Sequence, residues 1–408
     1  MTPTDETPVR VGVFGLLGSG NLGNDGSLEA VLGHLRAEHP DAVVDALCGG
    51  PEAVTARFGI PATRLHWYRG EYRTASRAAA IAGKGLGKLV DVFRTAAWAR
   101  RHDVVIVPGM GVLEDTLPLR PWGFPYSLFL LCASGRLLRT RVALVSVGAA
   151  EIGNRPTRAL VRWSARLATY RSYRDTQSRD AMRAMGVDTA RDEVYPDLAF
   201  SLPAPRVSAP SGSPGPVCVG VMDFHGGNDD RARAEEIYRR YLDGTIRFVR
   251  ALVEEGRPVR LLTGDQCDLS VVAAILDAVD SPLVTAAEPA SLADLMNEMA
   301  AADTVVAVRY HNLICALRTG TPVLALCYAA KSNAVMDRMG LGAYCHPARE
   351  VDADRLLEQF RDLEKHSAEV RQTLSGRNEV VAQQLAQQFT ALTTTLFPAN
   401  THALRKAP

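Results

Sequence analysis

The sequence predicts an α/β protein built from two Rossmann-like lobes with parallel sheets and a cleft between them. Its 408 residues suit two domains better than one. Short apolar runs alternate with helix-like segments, a pattern typical of a parallel sheet covered on both faces. A proline-rich stretch interrupts this alternation, which then restarts. We therefore predict a flexible tail at 1–9, an N-terminal lobe at 10–201, a linker at 202–216, a C-terminal lobe with terminal helices at 217–395, and a frayed tail at 396–408.

The strands of the first lobe are predicted from apolar, β-branched runs that end near glycine. In chain order these runs are RVGVFGLL, AVVDALCG, DVVIVPGMG and VALVSVGA. Helical periodicity predicts helices in DGSLEAVLGHLRAEH, VRWSARLATYRSYRD and SRDAMRAMG, the first of which has Asp and Ser at its start.

The second lobe repeats the same pattern. Its predicted strands are VCVGVMDF, VRLLTGD, TVVAVRY and PVLALCY. Its predicted helices are EEIYRRYLDGTIRFVRALVEEG, LSVVAAILDAV, SLADLMNEMAA and a segment following TVVAVRY, and residues 353–395 are predicted to be helical throughout.

Composition narrows the classes of function. A net charge of +1 argues against a general nucleic-acid binder, which needs an excess of Lys and Arg. The seven cysteines form no CxxC pair and read as reduced thiols. Residues 1–9 are polar and acidic, unlike a signal peptide, and no apolar run approaches the roughly 18 residues needed to cross a bilayer. We expect a soluble, cytoplasmic protein.

A glycine-rich loop, GLLGSGNLGNDGSLEA at residues 15–30, joins the first strand to the first helix. Glycine permits positive φ and close approach to a ligand, and a helix N-terminus offers free N–H groups to an anion. The alternative is a tight turn capped by Asn24 or Asp25.

The same loop contains a G-x-G-x-x-G pattern. Its glycines are Gly18, Gly20 and Gly23. A dinucleotide site would also need an acidic residue at the end of the second strand, and Asp45 is the candidate.

Two further loops follow predicted strand ends. VPGMGVLED, at 107–115, should line the same cleft, and its Glu114 and Asp115 read as acid/base groups or as caps. Arg174 lies just before a predicted helix, where a guanidinium could pair with a carboxylate or phosphate. Asp197, in YPDLAF, reads as a pocket carboxylate or a turn former.

The block TVVAVRYHNLICALRTGTPVLALCY carries cations at predicted strand ends. Arg309 and His311 follow one strand, while Tyr328 and Lys331 follow the next. Adjacent parallel strands would bring all four to one edge of a sheet. Such a group would form a cationic pocket with an imidazole that titrates near neutral pH, suited to an anionic substrate and to acid/base catalysis.

Over residues 10–350 the chain resembles the polysaccharide pyruvyl transferase family, bacterial enzymes that place a pyruvyl ketal on sugar hydroxyls. The resemblance implies a fold like that of GT-B glycosyltransferases, phosphoenolpyruvate as donor, and no metal or other cofactor. One departure is that Asn24 intervenes before Asp25 in a loop that usually reads Gly-Asn-x-Gly-Asp. The resemblance to the family rests on five motifs, which are GNLGNDG (20–26), PGMG (108–111), RDTQS (174–178), PDLAF (196–200) and RYHNLICALRTGTPVLALCYAAK (309–331).

The resemblance also implies roles for individual residues. His311 is the expected general acid, protonating the enol methylene carbon so that sugar hydroxyls can attack and phosphate can leave. Arg174, Arg309 and Lys331 are expected to hold the anionic groups of the donor. The remaining expected binding residues are Tyr328, Asn21, Asp25, Gly109 and Asp197.

Two alternatives remain open at the level of sequence. A GT-B glycosyltransferase could use a similar cationic cleft for a nucleotide-sugar donor, and a non-catalytic relative could bind a sugar or an anion. The expected acceptor is a carbohydrate, and a lipid-linked sugar is one alternative for its form.

A basic segment bears on the acceptor. Residues 72–101 hold seven Lys or Arg against one acid, interleaved with apolar residues. They read either as a peripheral contact with the inner face of an anionic membrane or as a solvated helix pair. Gly83, Gly85 and Gly87 are expected to interrupt the helical pattern.

Overall fold

The computed structural model describes residues 8–68, 77–114, 121–205 and 215–397, with only the backbone described at 77–82 and at 228. Most of the predicted linker and tails, and the predicted candidate Asp115, therefore lie outside the described residues.

The chain forms two compact units, and both are discontinuous in sequence. Unit 1 comprises the described residues of Met1–Ser19, Ser27–Leu198 and Leu385–Pro408. Unit 2 comprises Gly20–Gly26 and the described residues of Ala199–Gln384. Three segments differ from the predicted lobes. Gly20–Gly26 of the glycine loop and residues 199–201 group with unit 2, and the described residues from Leu385 onward group with unit 1.

Unit 1 contains a seven-stranded sheet in the order β3-β2-β1-β4-β5-β6-β7, with every pair of neighbours parallel. Consecutive strands joined through helices give this topology, and the central strand β4 is buried along its whole length. The strands are β1 (Arg10–Gly15), β2 (Val43–Cys48), β3 (Ala62–Arg64), β4 (Val104–Pro108), β5 (Arg141–Val147), β6 (Tyr170–Tyr173) and β7 (Glu193–Val194).

Helices connect these strands. They are α1 (Leu22–Glu38), α2 (Pro51–Phe58), α3 (Arg77–Ala99), α4 (Phe124–Leu138), α5 (Arg155–Leu167) and α6 (Thr176–Ala184). The expected interruption of α3 was wrong, because the helix continues through its three glycines. A Cβ on Gly83 would lie 3.1 Å from the Tyr68 ring, and one on Gly87 would lie 2.7 Å from Tyr68 Cβ, so these glycines make room for Tyr68.

Unit 2 contains a six-stranded parallel sheet in the order β10-β9-β8-β11-β12-β13. The strands are β8 (Val217–Gly220), β9 (Val259–Leu262), β10 (Val284–Ala287), β11 (Thr304–Ala307), β12 (Val323–Cys327) and β13 (Cys345–Pro347). The two parallel sheets confirm the predicted α/β class with two Rossmann-like lobes.

The helices that follow β8 complete the chain. They are α7 (Ala234–Glu254), α8 (Leu269–Val279), α9 (Leu292–Ala300), α10 (Tyr310–Thr319), α11 (Ala330–Arg338), α12 (Ala353–Lys365) and α13 (Ser367–Leu396). The region predicted as helical over 353–395 is thus two helices, which meet at His366.

Strand order reverses once in each sheet, between β1 and β4 in unit 1 and between β8 and β11 in unit 2. Ligands of open α/β sheets bind outside the carboxyl ends of the strands at such a reversal. The loop after β11 therefore lies where a ligand-binding site in unit 2 is expected.

Candidate functional site

Arg309 and His311 lie at the reversal of the unit 2 sheet. β11 ends at Ala307, and Arg309 is the extended residue that precedes the first turn of α10, where His311 lies. The neighbouring parallel strand β12 ends at Cys327, so Tyr328 and Lys331 follow the next strand end, as the sequence predicts. The four residues thus belong to one edge of one sheet.

The guanidinium of Arg309 is held by a carboxylate that sequence reasoning missed. Arg309 donates from Nε to Asp268 Oδ2 at 2.9 Å and from Nη2 to Asp268 Oδ1 at 2.6 Å. Asp268 is fully buried and also accepts from the backbone N–H groups of Asp223 and Gly264, at 3.0 and 3.2 Å. Such a bidentate pair fixes both the position and the plane of the guanidinium.

This pairing also fixes the charge state of Arg309. Burial acts to lower its pKa, but the hydrogen bonds to Asp268 outweigh burial and the pKa is raised. Arg309 therefore stays cationic, with its charge largely balanced by Asp268. The sequence signal that could have indicated Asp268 was the turn TGDQCD, which follows β9 at a strand end of the same sheet.

The glycine loop packs on this edge. Asn21 Nδ2 donates to Asp265 Oδ2 at 3.1 Å, and the backbone N–H of Leu22 donates to the carbonyl of Gly264 at 3.4 Å. The Asn21 carbonyl oxygen Oδ1 accepts from the backbone of Asn24 at 3.2 Å. Both ends of the Asn21 amide thus tie the loop to itself and to the turn after β9.

Because Gly23 has no side chain, the His311 imidazole can pack directly against its backbone. A Cβ on Gly23 would overlap the ring at Nδ1, Cε1 and Cγ. No side chain larger than a hydrogen atom therefore fits there while the imidazole keeps its position. The third glycine of the G-x-G-x-x-G pattern serves this contact.

Aromatic rings surround the ammonium group of Lys331. Its Nζ lies 5.7 Å from the ring centroid of Tyr310 and 5.6 Å from that of Tyr328. Tyr310 also meets the His311 ring edge-on, with centroids 5.4 Å apart. Tyr310, which sequence reasoning passed over although it stands between Arg309 and His311, therefore links the imidazole to the lysine.

The predicted residues of unit 1 form a separate, buried cluster. Arg174, at the end of β6, is only 3% exposed and pairs with Glu114. Its Nε lies 3.6 Å from Asp175 Oδ2, and its Nη1 lies 3.9 Å from Asp197 Oδ2. A Cβ on Gly148 would overlap both Arg174 and Glu114. This is the arrangement of an internal ion-pair network, and the predicted role of Arg174 and Asp197 in binding a substrate stays a prediction.

Two other predicted binding residues have packing roles in the structure. Gly109 follows β4 with a φ of +49°, and a Cβ there would overlap Ser27 Oγ of α1. Asp25 lies in the first turn of α1 and is 8% exposed, where a carboxylate favours the helix dipole. Their contribution to binding also stays a prediction.

The dinucleotide alternative loses its acidic residue. Asp45 lies within β2, where its carboxylate accepts from Trp98 Nε1 at 2.7 Å and lies 3.1 Å from His102 Nε2. It is therefore part of the packing between β2 and α3, and it does not lie at a strand end. No group of His, Cys, Asp and Glu in the described part of the chain has an arrangement that could hold a metal ion.

Several solved structures share the fold of this chain. A putative UDP-N-acetylglucosamine 2-epimerase from Listeria monocytogenes aligns with a TM-score of 0.63 at 12% identity, covering 95% of this chain and 96% of that one. The UDP-GlcNAc 2-epimerase from Neisseria meningitidis bound to UDP-GlcNAc gives 0.58 at 12% identity, covering 93% and 99%. MurG from Acinetobacter baumannii gives 0.53 at 13% identity, covering 95% and 100%. These likenesses confirm the GT-B-like fold class.

Sequence comparison identifies the family. No curated protein matches the chain. The family model described as polysaccharide pyruvyl transferase matches residues 21–329, which is more than half of the chain and includes Gly23, Arg309 and His311. The chain belongs to the polysaccharide pyruvyl transferase family, a family of transferases.

Proposed function

We propose that the protein transfers the enolpyruvyl-derived unit of phosphoenolpyruvate to two hydroxyls of a sugar, forming a pyruvate ketal on a glycan or glycoconjugate. The proposal rests on the side chains that lie at the carboxyl edge of the unit 2 sheet, in a chain that belongs to this family. There an imidazole seated on Gly23 adjoins Tyr310, which in turn faces the Lys331 ammonium group. This combination suits an anionic donor that must receive a proton.

The reaction needs one proton at carbon and two attacks by oxygen. His311 protonates the methylene carbon of the donor, which leaves an oxocarbenium-like centre at the carbon that bears the phosphate. One sugar hydroxyl attacks that centre, phosphate leaves, and the second hydroxyl closes the ketal. Of the two hydroxyl protons released, one returns to His311 and one departs with phosphate. Phosphoenolpyruvate and a diol thereby become a ketal and inorganic phosphate.

Lys331 and Arg309 contribute to binding of the donor in different ways. The Lys331 ammonium group, framed by two phenol rings, supplies a positive charge. Arg309 uses Nε and Nη2 for Asp268, so its Nη1 group is the part that can meet a carboxylate or phosphate oxygen. Because Asp268 already balances its charge, Arg309 contributes direction more than net attraction.

The setting of the reaction follows from the same chemistry. We propose that the enzyme is cytoplasmic, because phosphoenolpyruvate is a cytoplasmic metabolite. Its acceptor would be a carbohydrate in soluble or lipid-linked form. We propose that the reaction uses no metal, as the resemblance to the family implies.

A transfer assay followed by mass spectrometry tests the proposal. With phosphoenolpyruvate and a panel of sugar acceptors, we expect a product that carries the three-carbon ketal, with one phosphate released per product. His311→Ala should lower turnover by about 10²–10⁴-fold, the usual worth of a general acid. His366→Ala, between α12 and α13, is the matched control and should leave turnover unchanged. Turnover of His311→Ala near that of the control would remove His311 from the mechanism.

The same assay separates the alternatives. The structural neighbour from Neisseria meningitidis is a UDP-GlcNAc 2-epimerase bound to UDP-GlcNAc, so a nucleotide-sugar donor fits the fold. Release of a nucleoside diphosphate with no ketal product would establish a glycosyltransferase in place of the pyruvyltransferase. Binding of a sugar or of phosphoenolpyruvate without turnover of any donor would indicate a non-catalytic relative.

A further inference from the structure

The solvent-facing side of α3 is apolar. Leu86, Leu89 and Phe93 recur at helical spacing and are 55%, 62% and 75% exposed, while Ala97 continues the row. Three large apolar side chains in one row on a water-facing helix are unusual, because a surface helix normally turns such residues inward.

The inward side of the same helix carries the polar groups. Asp91 is 2% exposed and accepts from the backbone N–H of Trp67 at 2.8 Å, with His66 Nδ1 3.3 Å away. Lys88 and Arg94 reach the same carboxylate, at 3.8 and 3.5 Å. Burial acts to raise the pKa of Asp91, but His66, the Trp67 N–H and Lys88 outweigh burial and lower it. The middle of α3 therefore buries a charged cluster around Asp91 while it exposes a row of large apolar side chains.

Two exposed tryptophans lie close to α3, one of them through Tyr126. Trp67 is 46% exposed, and its ring would lie 3.7 Å from a Cβ on Gly87 of α3. Trp122 is 64% exposed and stacks edge-on against Tyr126, whose ring lies 5.7 Å below Lys88 Nζ. Tryptophan is enriched where protein meets the headgroup region of a bilayer, because its ring is apolar and its N–H is polar.

Charge around the row is positive. Lys84 on α3 and Arg100, directly after the end of α3, are exposed, and Asp91, the one acid of α3, is buried and paired. A second copy of this chain would bring like charges together at this face, whereas anionic lipid would complement it.

We propose that this face, the α3 surface (Leu86, Leu89, Phe93, Trp67, Trp122, Lys84 and Arg100), docks on an anionic lipid bilayer. The row from Leu86 to Ala97 runs for about 16 Å along the helix at 1.5 Å per residue, so α3 would lie in the plane of the membrane. The apolar row enters the acyl boundary and the cations meet lipid headgroups. No helix in the described ranges is apolar over a length that could cross a membrane, so attachment would be peripheral. The proposal is independent of the donor.

Co-sedimentation of the full chain with vesicles tests the proposal. Wild-type protein should sediment with vesicles that contain equal parts of phosphatidylcholine and phosphatidylglycerol. It should stay in solution with phosphatidylcholine alone, and with the mixed vesicles at high salt. K84E/R100E should lower the partition coefficient by at least about tenfold, since each surface charge near anionic lipid is worth about 1 kcal/mol. L89Q/F93Q should also lower it by at least about tenfold, because it removes the apolar side chains that would enter the acyl boundary. Lys88 and Arg94 are left unchanged because they pair with Asp91.

Matched controls separate the α3 surface from general effects of charge and apolarity. Val380→Gln removes an aliphatic side chain that is 47% exposed on α13, and R191E/R377E makes the same change of net charge at exposed sites elsewhere. Both should bind like wild type. Circular dichroism should show all variants folded, because every changed side chain faces solvent.

Three results would overturn the proposal. The first is wild-type protein that fails to sediment with anionic vesicles at low salt. The second is a loss of binding in the controls as large as that in the α3 variants. The third is a dimer, seen by sedimentation velocity, that L89Q/F93Q disperses, because a second copy of the chain would then cover this face.

Discussion

Adding one methyl group at Gly23 should disable the enzyme without unfolding it. A Cβ there would overlap three atoms of the His311 ring, whereas the backbone of Gly23 is ordinary for an α-helix and accepts alanine. The imidazole is a side chain and yields more readily than backbone, so it should rotate away. Turnover of Gly23→Ala should therefore fall while the fold persists.

The size of the effect follows from the displacement. A reacting group misplaced by about 1 Å can cost about 10²-fold in rate, and 10²-fold corresponds to about 2.7 kcal/mol of activation free energy. Gly33→Ala is the matched control on the same helix, because Gly33 is exposed and a Cβ there meets nothing within 4 Å. It should leave turnover unchanged and raise the free energy of unfolding by about 0.5–1 kcal/mol, the helix preference of alanine over glycine.

The assay is initial-rate transfer from phosphoenolpyruvate, run beside denaturant unfolding of the two variants. The pair of measurements matters, because a slow but stable Gly23→Ala isolates the geometry of His311 from global stability. Wild-type turnover in Gly23→Ala would show that the position of the His311 imidazole against Gly23 is not required for catalysis. Equal loss of turnover in Gly33→Ala would refute the steric argument itself.

Three further predictions concern stability. Asp268→Asn should cost about 1.5–3 kcal/mol in denaturant unfolding, since it removes a buried acceptor of charge-assisted hydrogen bonds, and an unchanged midpoint would contradict this. Arg174→Met should cost about 3–5 kcal/mol because it leaves Glu114 buried without its cation, so a loss below 1 kcal/mol would show that the pair is dispensable. Burial lowers the pKa of His34, against the opposing effect of Glu38, so the unfolded state binds more protons there. The free energy of unfolding should therefore rise as pH increases from below the folded pKa towards about 6.5, and His34→Gln should flatten this rise if titration rather than packing causes it.

The location of the unit 2 residues could be predicted from sequence because parallel strands gather their carboxyl ends. Arg309 and Lys331 follow apolar runs that read as adjacent strands, and β11 and β12 are indeed neighbours. What a side chain does once it is there depends on residues distant in sequence. Asn21 and Asp265 are 244 residues apart, and no local pattern announces their hydrogen bond.

Charge compensation was the main thing that sequence reasoning could not see. Arg309 and Arg174 both read as free cations for an anionic donor, yet each is paired with a buried carboxylate, Asp268 in one case and Glu114 in the other. A guanidinium and its partner meet only through tertiary packing, so the sign of a pocket cannot be taken from the cations alone. The glycines of α3 show the converse, because intrinsic preference predicted a break where packing against Tyr68 keeps a helix.

The discontinuity of the two units has a consequence for synthesis. In sequence, unit 2 is largely an insertion within unit 1, since residues 199–384 separate Leu198 from Leu385. Gln388, fully buried, donates from Nε2 to Ser146 Oγ at 2.7 Å and to Ser172 Oγ at 3.0 Å, so it closes the interior of a sheet translated more than two hundred residues earlier. The end of α13 must therefore leave the ribosome before the buried contacts of unit 1 are complete, and until then the uncovered part of unit 1 could be bound by a chaperone.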